Sequence, residues 1–431
     1  MLDVLDLRSV RGPVVPHLPR PRLDGEEPTS AVRAILDRVR IEGDAAVADL
    51  TRRFDGVELA TFRVTAEEVT AAAGRVPSVV EALEVAASRI EAFHRTQLHP
   101  PTTYDDGGSI RSFAVPVERV GCYVPGGRAA YPSTVLMTAI PAKVAGVRSV
   151  AVCVPPSGDT GAIADVTLAA CKVAGVDEVY AVGGAQAIGA LAYGTDTVDP
   201  VDVICGPGNR YVAIAQREVS GLVGIASAFA GPSEVVVIAD DSAPAAFAAV
   251  DVAVQAEHGP DGLAWLVSWD ESVVRDVDRE LERIVADSPR RAEIEATLAS
   301  AGHAVLCRDD AQAVEVANAI APEHLQVMTR EPRQLVASVR NAGAVFCGPW
   351  SPASLGDYVA GPSHVLPTAG TARFSSALTV ADFVKHHHVI TFDAAQAAAL
   401  APIVETLATA EGLSTHALSA RLRRVAAGAS E

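Results

Sequence analysis

The sequence predicts an α/β protein with two Rossmann-like parallel-sheet units, one inserted in the other, and a C-terminal helical tail. From about residue 118 onward, short apolar runs alternate with helical stretches, which is the pattern of βα units. Many of these runs are apolar at consecutive positions, as expected for parallel strands covered on both faces. The length of 431 residues suffices for about three domains at ~150 residues each.

Composition restricts the classes of function. Hydrophobic residues make up 49% and charged residues 20%, which is typical of a folded globular protein. The net charge of -18 repels phosphate backbones and anionic lipids, so neither nucleic acid nor a membrane is an expected partner. The N-terminus lacks the apolar segment of a signal peptide, and no run approaches the ~20 apolar residues of a membrane span. We therefore expect a cytoplasmic protein whose scattered cysteines are buried, reduced thiols.

The elements can be assigned in order along the chain. Residues 1–25 are proline-rich without a helical period, and amphipathic helical segments follow them before residue 100. Strand-like runs then lie at 121–124, 149–154, 178–182, 201–205, 222–226 and 234–239, with helices near 133–145, 160–173, 185–193 and 209–219. A second set of runs lies at 263–267, 304–307, 325–328 and 344–347, with helices near 243–257, 270–287, 310–320 and 331–340.

The chain is expected to comprise four segments. We expect an arm over 1–25, a larger discontinuous α/β domain over 26–118 and 234–375, an inserted Rossmann-like domain over 119–233, and a tail over 376–431. Residues 348–378 are rich in Gly, Pro and Ser, and a long irregular stretch in a compact protein is more often functional than idle. The tail predicts two Ala-rich helices, broken near Glu411, that pack on another surface such as a partner subunit.

The segment QAEHGP carries the first candidate site residues. Gln255 and His258 are three positions apart, so both point from one face of a helix that the following Gly-Pro ends. A histidine at a helix C-terminus is also favoured by the helix dipole without any ligand. The zinc signatures H-E-x-x-H and H-x-x-E-H are absent.

Other polar residues recur at predicted junctions and loops. Glu323 and His324 adjoin where a helix leads into a strand, and they fit either a general-base pair or a turn of solvated residues. Candidates for a metal or substrate site in the long loop and the tail are Asp357, Ser363, His364, Glu411, Thr415 and His416. Three of the histidines, at 258, 364 and 416, have with Asp357 the residue types of a divalent metal set. The run 386–388 does not, because adjacent strand positions point to opposite faces.

Glycine-rich turns follow several strand-like runs, at residues 125–127, 183–184, 206–208 and 231–232. Ligands bind at the carboxyl ends of parallel strands, and backbone amides at helix N-termini suit phosphate groups. The G-x-G-x-x-G fingerprint and the Walker sequence are both absent. A bound nucleotide would therefore be held in a non-standard way, and each turn taken singly also fits a structural role.

Nine segments, taken together, resemble the histidinol dehydrogenase family. They are GCYVPGG, STVLMTAIPAKVAGV, VGGAQAIGALAYGT, GPGNRYV, AGPSEVVVIAD, QAEHGPD, PEHLQV, GDYVAGPSHVLPT and EGLSTH. They follow the family's order and cover most of residues 30–420. The resemblance implies a homodimer whose tail reaches the partner's site and one zinc ion per site. It also implies two successive oxidations by NAD, which convert L-histidinol through its aldehyde to L-histidine.

The resemblance also implies a role for each site residue. The implied zinc ligands are Gln255, through its carbonyl oxygen, His258, Asp357 and His416. His324 is the implied base, and Glu323 is implied to activate water in the second oxidation. The implied NAD contacts are Tyr123, Gln186 and Asn209. The implied substrate contacts are Ser233, Gln255, His258, His324, Asp357, His364, Glu411 and His416.

Three alternatives remain open. A paralogous NAD-dependent dehydrogenase of the same fold would oxidise another small alcohol, but the presence of His364, Glu411 and His416 favours histidinol. A zinc hydrolase would use Glu323 and His324 on water and would turn over without NAD. A non-catalytic two-domain binder would keep its ligand affinity when His324 is replaced by Gln.

Overall fold

The computed structural model describes residues 1–19, 28–126, 129–157, 161–226, 231, 233–257 and 262–428. Its strands in chain order are β1 (Asp3–Asp6), β2 (Arg63–Val64), β3 (Thr102–Asp105), β4 (Ser109–Pro116), β5 (Arg119–Tyr123), β6 (Ser149–Cys153), β7 (Glu178–Tyr180), β8 (Val203–Cys205), β9 (Gly224–Ile225), β10 (Glu234–Ala239), β11 (Leu263–Ser268), β12 (Gly302–Leu306), β13 (His324–Met328), β14 (Ala344–Cys347) and β15 (Val384–Thr391).

Its α-helices in chain order are α1 (Thr29–Glu42), α2 (Asp44–Asp55), α3 (Ala66–Arg75), α4 (Pro77–Arg95), α5 (Pro132–Ala145), α6 (Asp165–Val173), α7 (Gly184–Tyr193), α8 (Arg210–Val219), α9 (Ala245–Ala256), α10 (Glu271–Asp287), α11 (Arg291–Ala301), α12 (Asp310–Ile320), α13 (Pro332–Val336), α14 (Ala353–Tyr358), α15 (Ala394–Ala410) and α16 (Ser414–Ala426). The chain divides into two compact units. The larger comprises Met1–Gln97 and Val117–Phe383, and the smaller comprises Leu98–Pro116 and the chain from Val384 onward.

The first sheet of the larger unit is parallel throughout, in the order β1-β12-β11-β10-β13-β14. Every residue of β10, β11 and β13 is buried, which explains why these runs are apolar at nearly every position. Val235 and Val237 pack into one hydrophobic cluster, and Val236 and Ile238 pack into the cluster on the opposite face. The proline-rich arm differs from its expected form because it supplies an edge strand, β1, paired with β12.

The second sheet of the larger unit has the order β2-β7-β6-β5-β8-β9, and only the short β2 runs antiparallel to its neighbour. Helices α1 and α2 precede residue 118, yet they pack in the same core as α7 and the strands of this sheet. Gly189 of α7 permits this approach, because a Cβ there would lie 3.2 Å from Cβ of Val39. The core of this sheet therefore draws on residues from both sides of the boundary expected at 118–119.

The smaller unit contains an antiparallel sheet in the order β15-β4-β3 and the helix pair α15 and α16. A capping box between Asp393 and Gln396 begins α15, and the helices break at residues 411–413, near the expected position. The helix pair leaves apolar side chains exposed, namely Leu400, Ile403, Val404, Leu407, Leu418, Leu422 and Val425. His386 to His388 lie exposed on β15.

The predicted fold class is confirmed, with parallel α/β sheets followed by a helical C-terminal region. The sequence patterns did not predict the antiparallel strands β3, β4 and β15, nor helix α11, which packs beside α9 and β11. All six cysteines are free thiols and five of them are buried, as expected. No helix within the described ranges is long and apolar enough to cross a bilayer.

Candidate active site

Glu323 and His324 lie where the chain enters β13. Helix α12 ends at Ile320, and the next residue, Ala321, has a left-handed φ of 54° that turns the chain toward the strand. Glu323 is 8% exposed and His324 is 3% exposed, so the alternative of a solvated turn is wrong. Burial of two ionisable side chains is costly unless they are paired and hydrogen-bonded, and here they are both.

The beginning of β10 holds this pair through its backbone. The parallel register places His324 opposite Val235, so the peptide groups of Glu234 face the pair. The N–H of Glu234 donates to Oε2 of Glu323 at 3.0 Å, and its carbonyl lies 3.2 Å from Nδ1 of His324. A carbonyl only accepts, so Nδ1 carries a proton and the reactive nitrogen of His324 is Nε2.

Nε2 of His324 faces the carboxylate of Asp357, whose Oδ1 lies 3.2 Å away on α14. The ring of Phe346 on β14 stacks on the imidazole with the centroids 5.9 Å apart. Gly356 makes room for that ring, because a Cβ at this position would lie 2.5 Å from Cε1 of Phe346. The imidazole is thus fixed at both nitrogens and on one face.

The charges around His324 set its protonation. Burial alone would lower its pKa, but the negative charges and hydrogen bonds of Glu323 and Asp357 outweigh burial and raise the pKa to about 10. His324 is therefore an imidazolium at neutral pH while both carboxylates face it. A ligand that engages Asp357 would remove one of the two charges and lower the pKa of His324 toward the range where a base operates.

His364 is oriented by two different parts of the larger unit. Its Nδ1 donates to the carbonyl of Asp357 at 2.9 Å, and its Nε2 lies 3.1 Å from the hydroxyl of Thr134 at the start of α5. Burial lowers the pKa of His364, so the ring is neutral and Nε2 accepts from that hydroxyl. Ser363 donates to the carbonyl of Met137, a second bond that joins this loop to α5.

The residues expected to bind NAD lie at the carboxyl ends of strands in the second sheet. Tyr123 is the last residue of β5, Gln186 lies in the first turn of α7 after β7, and Asn209 follows β8. Gly206 allows these strand ends to approach, since its φ is 108° and a Cβ there would lie 2.0 Å from the carbonyl oxygen of Tyr123. The strand-end position is where open α/β sheets bind ligands.

Two of these side chains also have structural partners. The hydroxyl of Tyr123 accepts from the N–H of Gly184 at 3.1 Å, and Oδ1 of Asn209 caps α8 by accepting from Tyr211 and Val212. Gln186 is 1% exposed, and its Nε2 has no hydrogen-bond partner among the described residues. The structure leaves the NAD roles of all three residues as predictions.

Three of the four expected metal ligands lie within the described residues. Gln255 lies in the last turn of α9, 1% exposed, and its Nε2 lacks a hydrogen-bond partner in the described part of the chain. His258 lies outside the described residues. His416 and Glu411 are exposed residues of the smaller unit. Within the described ranges, no group of three or more His, Cys, Asp or Glu is placed to hold a metal ion.

The position of the buried pair differs from the usual rule for α/β sheets. His324 and Glu234 begin their strands, so they lie at the amino ends of the first sheet, and α9 brings Gln255 back to that same edge. Ser233 immediately precedes β10 and is partly buried there. Sequence reasoning missed Glu234 and Thr134. The one available signal was a glutamate at the head of the apolar run VVVIA.

Two largely parallel sheets with glycine-rich strand ends define an α/β protein of the kind that binds ligands at strand ends, and the buried carboxylate–histidine pair indicates an enzyme with acid–base chemistry. Comparison with known proteins makes the class specific. Residues 18–424 match the family model described as histidinol dehydrogenase. The chain therefore belongs to the histidinol dehydrogenase family, whose members are enzymes of histidine biosynthesis.

Relatives agree over nearly the whole chain. Histidinol dehydrogenase of Rhizobium meliloti is 47% identical over 403 residues, covering 92% of both chains. That of Moorella thermoacetica is 48% identical over 397 residues, covering 91% of this chain and 93% of its own. The crystal structure of histidinol dehydrogenase from Elizabethkingia anophelis superposes with a TM-score of 0.93 at 32% identity, covering 98% of each chain.

Proposed function

We propose that the protein oxidises L-histidinol with NAD in two successive steps, through the aldehyde, to L-histidine. The observation that carries this proposal is the buried imidazole of His324, whose Nδ1 is tied to a backbone carbonyl while its Nε2 faces Asp357. A base fixed in this way is suited to remove one proton from a substrate hydroxyl. Family membership supplies the substrate.

In the first step, His324 would take the hydroxyl proton while a hydride leaves the same carbon for NAD. Fixing Nδ1 as the donor leaves Nε2 as the single proton acceptor of the ring. A ligand that engages Asp357 would remove one of the two influences that raise the pKa of His324, and it would thereby favour the neutral imidazole that acts as a base. His364, which burial keeps neutral and which Thr134 and the Asp357 carbonyl orient, would offer the substrate a ring in a fixed position.

In the second step, the aldehyde must be hydrated before it can lose another hydride. Glu323 lies beside His324, with Oε2 held by the N–H of Glu234, and a carboxylate there accepts a proton from the attacking water. The hydrate would then lose a hydroxyl proton to His324 as a hydride leaves the same carbon, and NAD, when bound, would supply the hydride acceptor for each step.

We further propose that zinc binds through Gln255, His258, Asp357 and His416. The donor set fits zinc in part, because imidazole nitrogens and a carboxylate oxygen are its usual ligands. Gln255 is a buried amide at the end of α9, and its carbonyl oxygen is the atom that would bind the metal. When bound, zinc supplies a positive anchor for the substrate's imidazole and amine.

We also propose a cytoplasmic homodimer in which the tail contributes Glu411 and His416 to the partner's site. Two observations on the smaller unit support this. Both residues are exposed there, and α15 and α16 leave a row of apolar side chains uncovered.

The test is NADH formation from limiting L-histidinol with excess NAD, repeated after chelation and after zinc is restored. We expect two NADH per histidinol, loss of turnover on chelation and recovery with zinc. One NADH per histidinol would contradict the role of Glu323. No NADH with histidinol would move the assignment to a dehydrogenase of another small alcohol, and turnover without NAD would indicate a hydrolase. Replacing His324 with Gln serves as the inactive control.

A further inference from the structure

Glu234 is a buried carboxyl group without a role in the reaction proposed above. It is 3% exposed and heads β10, whose other residues, 235–239, are all apolar. Its Oε1 accepts from the N–H of Ala369 at 2.9 Å, and its Oε2 has no hydrogen-bond partner among the described residues. A buried carboxyl group is costly, and an apolar side chain would suffice for packing alone.

The backbone of Glu234 holds both members of the proposed acid–base pair. Its N–H donates to Glu323 and its carbonyl accepts from His324, at 3.0 and 3.2 Å. The orientation of the pair therefore depends on how firmly the first residues of β10 are held in place. The position of this one peptide segment thus controls two functional side chains.

Two residues at the start of β10, Gly231 just before the strand and Glu234 at its first position, are bonded to the loop that follows His364. Oγ1 of Thr368 accepts from the N–H of Gly231 at 2.6 Å, and the Glu234 side chain accepts from Ala369. Ala369 has a φ of 55°, a left-handed conformation that is rare for a residue other than glycine. Within the described residues, the other such residue is Ala321, which leads into Glu323. Strained backbone of this kind collects at functional sites, where the surrounding contacts hold it.

We propose that Glu234 is a positioning residue for the oxidation of the alcohol and of the aldehyde. Its side chain fixes the start of β10 to Ala369, and its backbone thereby holds Glu323 and His324 in their working orientations. The inference rests on the proposed function, because it takes the roles of Glu323 and His324 from there. It adds a residue to which the family resemblance gave no role.

The test compares substitutions that keep or remove the bond to Ala369. Glu234→Gln keeps an acceptor oxygen at the same reach, so it should retain kcat within a few-fold. Glu234→Met keeps the volume and removes the acceptor, so it should lower kcat for both oxidations by on the order of tenfold or more. Glu234→Asp keeps the carboxyl group but shortens its reach, so its kcat should fall as in Glu234→Met. If the methionine variant does not fold, the aspartate variant takes its place in the comparison.

A matched control lies on the neighbouring strand. Gln326 of β13 is fully buried and donates to the carbonyl of Gly348 rather than to a member of the acid–base pair. Gln326→Met removes a buried hydrogen bond, so it should lower Tm while leaving kcat per folded molecule unchanged. If Glu234→Met behaves like this control, its role is only structural and the inference is overturned.

Hydrogen–deuterium exchange gives a readout that does not depend on turnover. Peptides that cover residues 365–374 should exchange faster in Glu234→Met and Glu234→Asp, but not in Glu234→Gln, because the N–H of Ala369 loses its acceptor. Unchanged exchange, or a glutamine variant as impaired as the methionine one, would overturn the inference. A wild-type protein that does not oxidise histidinol would refute the proposed function instead, while the exchange result would still test the attachment of the loop.

Discussion

Replacement of Glu323 with Gln should separate the two half-reactions. The amide has the shape of the carboxylate and can still accept from the N–H of Glu234, but it carries no charge and cannot take a proton from water. Oε2 of Glu323 lies 3.6 Å from Nδ1 of His324. At an effective dielectric constant of ~20, two charges at that distance interact by about 5 kcal/mol, equivalent to about three pH units in the pKa of His324.

The sign of the effect follows from the direction of the shift. Glu323 helps to raise the pKa of His324, so its charge keeps the imidazole protonated to higher pH and unable to act as a base. Without that charge the pKa falls, and the neutral imidazole appears at lower pH. Alcohol oxidation by the variant should therefore reach half of its maximum at a pH lower by about one to three units.

Aldehyde oxidation should respond in the opposite way. At neutral pH its rate should fall on the order of 100-fold, because the variant lacks the proton acceptor for water. Both rates are measured as NADH formation across pH, starting from histidinol and from the aldehyde, with Glu331→Gln as a control at an exposed carboxylate. If the acidic limb of the pH–rate profile for alcohol oxidation does not move, the electrostatic argument is refuted. If the rates of both half-reactions fall equally, the water-activating role of Glu323 is refuted.

Three further outcomes are expected. Thr134→Val removes the hydroxyl bonded to His364 and should raise KM for histidinol about fivefold at similar kcat, as expected for one lost hydrogen bond of ~1 kcal/mol; an unchanged KM would contradict it. Gly206→Ala places a Cβ 2.0 Å from the Tyr123 carbonyl oxygen at a positive φ, so Tm should fall and NAD should no longer saturate the enzyme. An unchanged Tm would show that the backbone at this strand end can shift to accommodate the Cβ. Asn209→Asp keeps the cap of α8 but loses the amide nitrogen, so Tm should hold while KM for NAD rises, and a fall in Tm alone would restrict the residue to capping.

Much of the fold was predictable because it depends on local patterns. Strands β10 and β13 are buried on both faces, so they appear as apolar runs, and the glycine turns mark the strand ends of the second sheet. The short strand β1 lacked such a signal, since three of its four residues are exposed. Its place in the sheet depends on pairing with β12, which lies some three hundred residues away along the chain.

The candidate site was predictable as a set of residue types and not as a geometry. His324 and Glu323 were identified by a motif, but the motif did not place them at the amino ends of their sheet. It also gave no reason to expect that a backbone segment at Glu234 would hold them. Thr134 was not predicted as a site residue because its hydrogen bond to His364 joins residues 230 positions apart.

The sequence by itself determined most strands and helices of the two larger sheets, which family the chain resembles and which side chains can do acid–base chemistry. These properties depend on side-chain type and short spacing, which a linear chain displays directly. Only the tertiary structure decided that His324 lies between the Glu234 carbonyl and Asp357, and that two carboxylates raise its pKa. The physical reason is that pKa and orientation depend on distances of a few ångströms between residues far apart in sequence, and the folded path of the chain sets those distances.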